Sequence, residues 1–446
     1  MQQVPSTSPA PTPPQEDIES ERIYEPENLP NRELDNEPDD ETDGSSLPTI
    51  HLDDIRLSYK FIDLLKNASL DSRQLDSEDV DRLRNPPTEL IDLVDDADFH
   101  LSLDLFLSLS NASQDAYSKV RNAILRRHPH DPILSYDQIK RRIKNLTGVI
   151  PLVNDMCINS CMAYTGPFED LEECRYCSEP RYDSTKLKAS DGLLKTPRQT
   201  STTIPLGPQI QALWRHHDSA EKMRYCERCT TALLQQLDTG INTYNDIISG
   251  QDYLDAVTDS WICSHDTVLV MSINGAQLYR SKKSDCWIYI WVVVDLPPDE
   301  RYKKHRVLPG GFIPGPNHPK NLDSFVFPGL YHLSALQREG LAIWDAARDL
   351  IFTSHPFLFV VTADAVGMTD LNGWVGHHGK FGCRLLCGLP GRHKPGVAHY
   401  YPALLKPTNY HISGCCHNNL DINELPSPNS TTYRNNLRLV IESSSV

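Results

Sequence analysis

At 446 residues, 39% hydrophobic and 23% charged, the chain is long enough for two or three domains of roughly 100–200 residues each. Its most apolar run, 287–294 (WIYIWVVV), is far short of the ~20 residues of a membrane-spanning helix. The formal charge of −17 does not exclude a nucleic-acid partner, because residues 1–50 hold 13 Asp/Glu against Arg22 and Arg32 and leave only −6 for the rest, so local patches decide.

The N-terminus has neither the basic start nor the apolar stretch of a signal peptide. The twelve cysteines therefore read as metal ligands and free thiols of an intracellular protein rather than as a disulfide framework. Residues 1–50, rich in Pro, Ser and acid, bury too little apolar surface to offset ordering entropy and are expected to be disordered. Residues 51–150 read as a helical region. Ser135 and Gln138 have capping-box spacing, Ile139, Ile143 and Leu146 follow at helical intervals, and Gly148 stops the helix. Residues 118–145 carry eight Lys/Arg against Asp131 and Asp137. That is either the solvated face of a helix or a phosphate-contacting surface, with Lys140, Arg141, Arg142 and Lys144 as candidate contacts.

The stretch 151–183 contains Cys157, Cys161, Cys174 and Cys177, spaced C-x3-C-x12-C-x2-C. Two close pairs joined by a short loop supply the four tetrahedral ligands of a structural zinc site, which has no open position for substrate. The alternative, four buried free cysteines, does not explain the spacing. Residues 184–262 read as a polar linker and then a helical stretch over about 209–237. Cys226 and Cys229 lie inside that helical pattern without a second pair, and drift explains them better than ligation.

In 263–370 the pattern changes. The runs 267–273 (TVLVMSI), 287–294 and 357–361 (FLFVV) read as strands, and 332–351 as an amphipathic helix. The fold class is therefore mixed α/β, a mixed sheet with helices on its faces. Residues 371–412 are basic and rich in Cys and His. Cys383, Cys387, His393 and His399 make a second possible zinc site, or a basic loop with scattered histidines. His377, His378 and Lys380 are candidate phosphate contacts. Cys415 and Cys416 read as drift, and 413–446 as a polar tail.

Asp364 stands just after the last strand. An acid there is a good position for a ligand to hard Mg2+, although it is also where a helix cap sits. The segments DMCINSCMAYTGPFEDLEECRYCSEPRYD, TTIPLGPQIQALWRH, SINGAQLYRSKKSDCWIYIW, PGGFIPGPNHPKNLDSFVFPGLYHLSALQ and VGHHGKFGCRLLCG resemble, in order, transposases of CACTA (En/Spm) elements, particularly the Plavaka-like group of fungi. The resemblance covers roughly positions 50–412.

It implies a ribonuclease-H-like catalytic domain with three acids, Mg2+ or Mn2+, and cutting and joining of transposon DNA ends by two-metal phosphoryl transfer. It also implies a nuclear location, DNA as partner, and association with itself or other transposase copies; no membrane partner is expected. Asp364 matches the second acid. The first usually stands in an I-D-G motif at the end of the first strand, where this chain has Asn274. Asp285 and Asp295 do not lie at that strand end. The insertion after the second acid matches Cys383 and Cys387, with His399 as a further ligand. Glu424 and Glu442 lie in the polar tail without a helical pattern, so the third acid is unassigned and the core reads as both mutated and incomplete. Three readings follow: a DNA transposase, a non-catalytic zinc-dependent DNA-binding remnant, or a decayed frame without function.

Overall fold

A computed structural model describes residues 53–72, 74–90, 96–236, 243–277, 285–364, 367–372, 379–380, 391–393, 399–401, 403–405, 419–421 and 423. The disorder expected of 1–50 lies outside the described residues, as does most of the tail expected at 413–446.

Five helices lead: α1 (Asp53–Lys66), α2 (Ser77–Arg84), α3 (Ala97–Ser108), α4 (Gln114–Arg127) and α5 (Tyr136–Thr147). Four begin on side-chain caps that accept orphan N–H groups, from Asp76, Asp96, Ser113 and Ser135. The capping box at Ser135 and Gln138 is present, and Gly148 ends α5 at φ 73°. Helices α3, α4 and α5 close on Phe99, Tyr117 and Ile139.

Strands β1 (Leu152–Met156) and β2 (Gln199–Thr203) pair antiparallel, with the cysteine segment and α6 (Ser184–Ala189) between them. Helices α7 (Leu206–Trp214), α8 (His217–Met223), α9 (Tyr225–Leu234) and α10 (Gln251–Thr258) follow. Then come β3 (Val268–Gln277), β4 (Asp285–Val293), β5 (Leu308–Pro314), α11 (Leu322–Glu339), the hairpin β6 (Leu341–Asp345) and β7 (Leu350–Ser354), β8 (Phe357–Ala363) and α12 (Gly367–Asn372). Six strands form one sheet in the order β1-β2-β5-β4-β3-β8, in which only β3 and β8 run parallel.

Both faces of the central strands are covered, which is why their sequences are continuously apolar instead of alternating. Leu269, Met271 and Ile273 of β3 join Ile210 and Trp214 of α7 and Phe325, Leu333 and Leu336 of α11. Val268 and Val270 join Cys226, Tyr253 and Leu254 on the other face. The Tyr289 ring of β4 lies over the Gly310–Gly311 pair of β5, where added Cβ atoms would come within 2.2 and 2.4 Å of it. The two glycines are thus required by packing.

Two expectations are corrected. The helix expected at 332–351 is Leu322–Glu339, and 341–345 and 350–354 form a hairpin instead. Gly340 ends the helix at φ 82°, and its Cβ would stand 2.4 Å from the Thr353 methyl. The early start survives Pro328 because the N–H that proline lacks would have bonded the Ser324 carbonyl. That carbonyl accepts the Thr165 hydroxyl instead. The polar linker expected in 184–262 contains β2, whose Ser/Thr-rich sequence hides a strand that extends the sheet beyond β5.

Candidate functional site

The cysteine segment folds as two similar turns. In the first, the Cys157 N–H donates to the Met162 carbonyl at 2.9 Å and the Ser160 N–H to the Cys157 carbonyl at 2.9 Å. In the second, the Cys174 N–H donates to the Glu179 carbonyl at 2.9 Å and the Ser178 N–H to the Cys174 carbonyl at 2.8 Å. Ser160 (φ 59°) and Ser178 (φ 58°) supply the left-handed residue each reversal needs. The turns face each other, with all four Sγ atoms within 4.8 Å of one another and Cys157 and Cys177 3.4 Å apart. Tetrahedral zinc, with Zn–S of about 2.3 Å, sets its sulfurs about 3.8 Å apart. The cluster can bind zinc with only small shifts.

Its surroundings favour thiolates. The Asn159 N–H donates to Cys157 Sγ at 3.4 Å, the Tyr176 N–H to Cys174 Sγ at 3.4 Å, and the Asn159 side-chain amide to Cys177 Sγ at 3.7 Å. Burial opposes ionisation. It pushes the Cys174 thiol up to about 11 and Cys161 higher still, whereas at Cys177 it is outweighed by hydrogen bonds, chiefly from the Glu179 N–H, which bring the thiol down to about 7. A divalent cation is what lets four such groups ionise together. The module packs on Leu57 and Phe61 of α1 and Phe327 of α11. A motif scan finds the cysteines but misses the two serines and Asn159, since no residue type marks a left-handed turn position as clearly as glycine would.

The other candidate centre lies where the pairing of β3 with β8 ends. Their parallel register pairs Ile273 with Ala363, so Asn274 and Asp364 come next on adjacent strands at the same end of the sheet. Both are exposed. An Asp364 carboxylate oxygen accepts the Gly367 N–H at 2.7 Å, which makes it the cap of α12 as well as a ligand candidate. Asp295 is at the opposite end of β3. It is buried, accepts the Val268 N–H at 2.8 Å, and is pushed up to about 7 by burial. Six residues of strand, about 20 Å at 3.3 Å per residue, separate Val268 from Asn274, so Asp295 cannot stand in at position 274. Asp285 pairs with Gln277 at the same end as Asn274 and Asp364.

The candidate nucleic-acid residues divide. On α5, Lys140, Arg141, Arg142 and Lys144 are exposed. Arg142 is engaged within the molecule, paired with Asp96 and stacked 4.2 Å over the Phe99 ring, and Lys140 lies 5.6 Å over the Tyr136 ring. His377, His378, Cys383, Cys387, Cys415, Cys416, Glu424 and Glu442 lie outside the described residues. Lys380 is described and exposed. His393 pairs in the backbone with Tyr400, and His399 precedes that strand residue. Among the described residues, Cys157, Cys161, Cys174 and Cys177 form the one group of three or more His, Cys, Asp or Glu side chains that could hold a metal ion. Cys226 is committed to packing, its sulfur 3.1 Å from the Tyr253 hydroxyl.

Residues 263–391 match the family described as Transposase family tnp2. The matched segment runs from β3 past α12 and includes Asn274 and Asp364. No curated protein matches the chain. Among the described residues no helix is long and apolar enough to cross a membrane.

Proposed function

We propose that this chain is a transposase-derived, DNA-binding protein of the CACTA type, with a ribonuclease-H-like core in which Asn274 disables two-metal phosphoryl transfer. The observation that carries the reading is the parallel pairing of β3 with β8 inside the family-matched segment. It sets positions 274 and 364 side by side, where two carboxylates would share divalent ions. Asp364 offers one charged ligand for Mg2+ or Mn2+; an amide in place of the other cannot neutralise the second charge. The Cys157, Cys161, Cys174 and Cys177 module holds structural zinc in this reading, and Cys383, Cys387, His393 and His399 a second ion. Nuclear residence and association with other transposase copies belong to the same reading.

The test is a salt-titrated binding assay on duplex DNA together with an assay for Mg2+- or Mn2+-dependent cleavage of transposon ends. Binding that weakens steeply with salt, without cleavage, is expected. Cleavage lost in Asp364→Ala would establish an active transposase instead. A purified chain that neither holds zinc nor unfolds cooperatively would support the decayed-frame alternative. Zinc content separates one site from two.

A further inference from the structure

The connection between β5 and α11, residues 315–321 (GPNHPKN), closes the same end of the sheet as positions 274 and 364. Register requires this: Trp287 of β4 pairs with Gly275 on one side and Ile313 on the other, and Cys286 pairs with Pro314. Pro314, Pro316 and Pro319 each fix φ, so the connection is stiff. Residues 301–322 include no Asp or Glu, and Asn317, His318 and Lys320 are exposed.

A short relay of contacts joins this connection to the acid. The His318 ring meets the Trp287 ring edge-on, with centroids 4.6 Å apart. A Cβ on Gly367 would stand 3.5 Å from the Trp287 ring and 3.4 Å from an Asp364 carboxylate oxygen. His318 Nδ1 lies 2.8 Å from the Pro319 carbonyl, so that nitrogen carries the proton and the ring's tilt is set.

The connection is also clamped from the cysteine module. The Cys161 carbonyl accepts N–H bonds from Lys320 and Asn321 at 3.0 and 2.9 Å. The Ser160 hydroxyl donates to the Pro314 carbonyl at 3.1 Å, and the Asn317 amide to the Asn159 carbonyl at 3.3 Å. Both ends of 315–321 are thus bonded to one cysteine turn, residues 159–161.

We propose that residues 315–321 are a phosphate-contacting element for a DNA strand crossing the 274/364 end of the sheet, with His318 and Lys320 as the contacting side chains. The first cysteine turn acts as the positioning device for this element. The inference rests on the DNA-binding reading above and adds where the strand lies. A stiff, acid-free connection presenting an ammonium and, when both ring nitrogens are protonated, an imidazolium suits a phosphate, because rigidity lowers the ordering cost of each contact. It also gives the zinc module a task at the site although its own ligand set is closed.

The experiment is fluorescence anisotropy of the full zinc-loaded chain with a labelled duplex oligonucleotide over a salt series. His318→Ala with Lys320→Ala should weaken binding by about tenfold at low salt and lower the salt slope by about one ion. Both changes are at exposed positions, so the fold should survive. Ser160→Gly keeps all four thiols and accepts the left-handed backbone, but removes the bond to Pro314. It should weaken binding by about two- to threefold, and should speed amide exchange at Lys320 and Asn321. Unchanged affinity and slope in the double variant, with normal binding by the parent chain, would overturn this proposal and leave the DNA-binding reading standing. Absence of binding by the parent chain at low salt would overturn both.

Discussion

The two cysteine turns and the end of β3 and β8 meet different demands within one fold. The turns retain all four thiols, each in a loop whose reversal, N–H donors and packing against α1 and α11 are tied to the others. The strand end retains Asp364 but has an amide at 274, on an exposed position whose neighbour Ile273 does the packing. Losing a thiol exposes the fold to the cost of a broken core. Changing Asn274 disturbs nothing that stabilises the sheet. In the proposed reading, a site that contributes to stability is protected by stability, whereas a site that serves only chemistry has no such protection.

That contrast can be broken most directly at the cysteines. Structural zinc in small domains contributes about 10–16 kcal/mol of folding free energy. Cys161→Ser should therefore abolish the sharp thermal transition along with zinc binding, read by calorimetry and metal analysis. An unshifted transition in a zinc-free variant would make the module dispensable and end the comparison.

The next largest effect lies at the far end of β3. Asp295 is protonated more readily in the fold than in the unfolded chain, so the folded state binds more protons between the ordinary carboxylate range and about 7. Stability should fall as pH rises through that window and level off above it. Asp295→Asn should flatten the profile and raise stability at pH 8, by up to roughly 4 kcal/mol at about 1.4 kcal/mol per pKa unit. A profile with the same slope in the variant would refute this.

Thr165→Val removes the hydroxyl that satisfies the Ser324 carbonyl and should cost about 1–3 kcal/mol, measured by urea denaturation. A neutral result would mean that water or helix adjustment replaces the bond. The smallest change in stability is expected for Asn274→Asp, within about 0.5 kcal/mol of the parent chain. The same variant should bind Mn2+ about tenfold more tightly, because it restores a charged oxygen ligand. A large loss of stability with no gain in metal affinity would show that position 274 is structural after all.

Much of this was legible from residue types. The cysteine spacing signals the cluster because thiol ligation has few geometries, and the apolar runs at 267–273 and 287–294 signal strands. The capping box at Ser135 was equally plain because it is a local interaction. What could not be read was long-range. Pro328 argues against a helix at 322–339 unless the Thr165 hydroxyl, 163 residues earlier, is known to serve Ser324. The polar strand β2 carries no alternation strong enough to reveal that it extends the sheet. Nothing in the residues 315–321 marks them as lying beside Asp364, since that follows from strand order alone.

The missing rung at Pro328 also bears on the order of assembly. Helix α11 contributes Phe325, Leu333 and Leu336 to the main core, yet its first half has a carbonyl that only the cysteine module satisfies. Local contacts form early in folding and distant ones late, so α11 can nucleate from its C-terminal turns but completes only when Thr165 arrives. If the four thiols take up zinc, as their geometry allows, that uptake organises the segment carrying Thr165 and becomes a checkpoint in folding. A chain made in zinc-poor conditions would stall with its principal helix half formed.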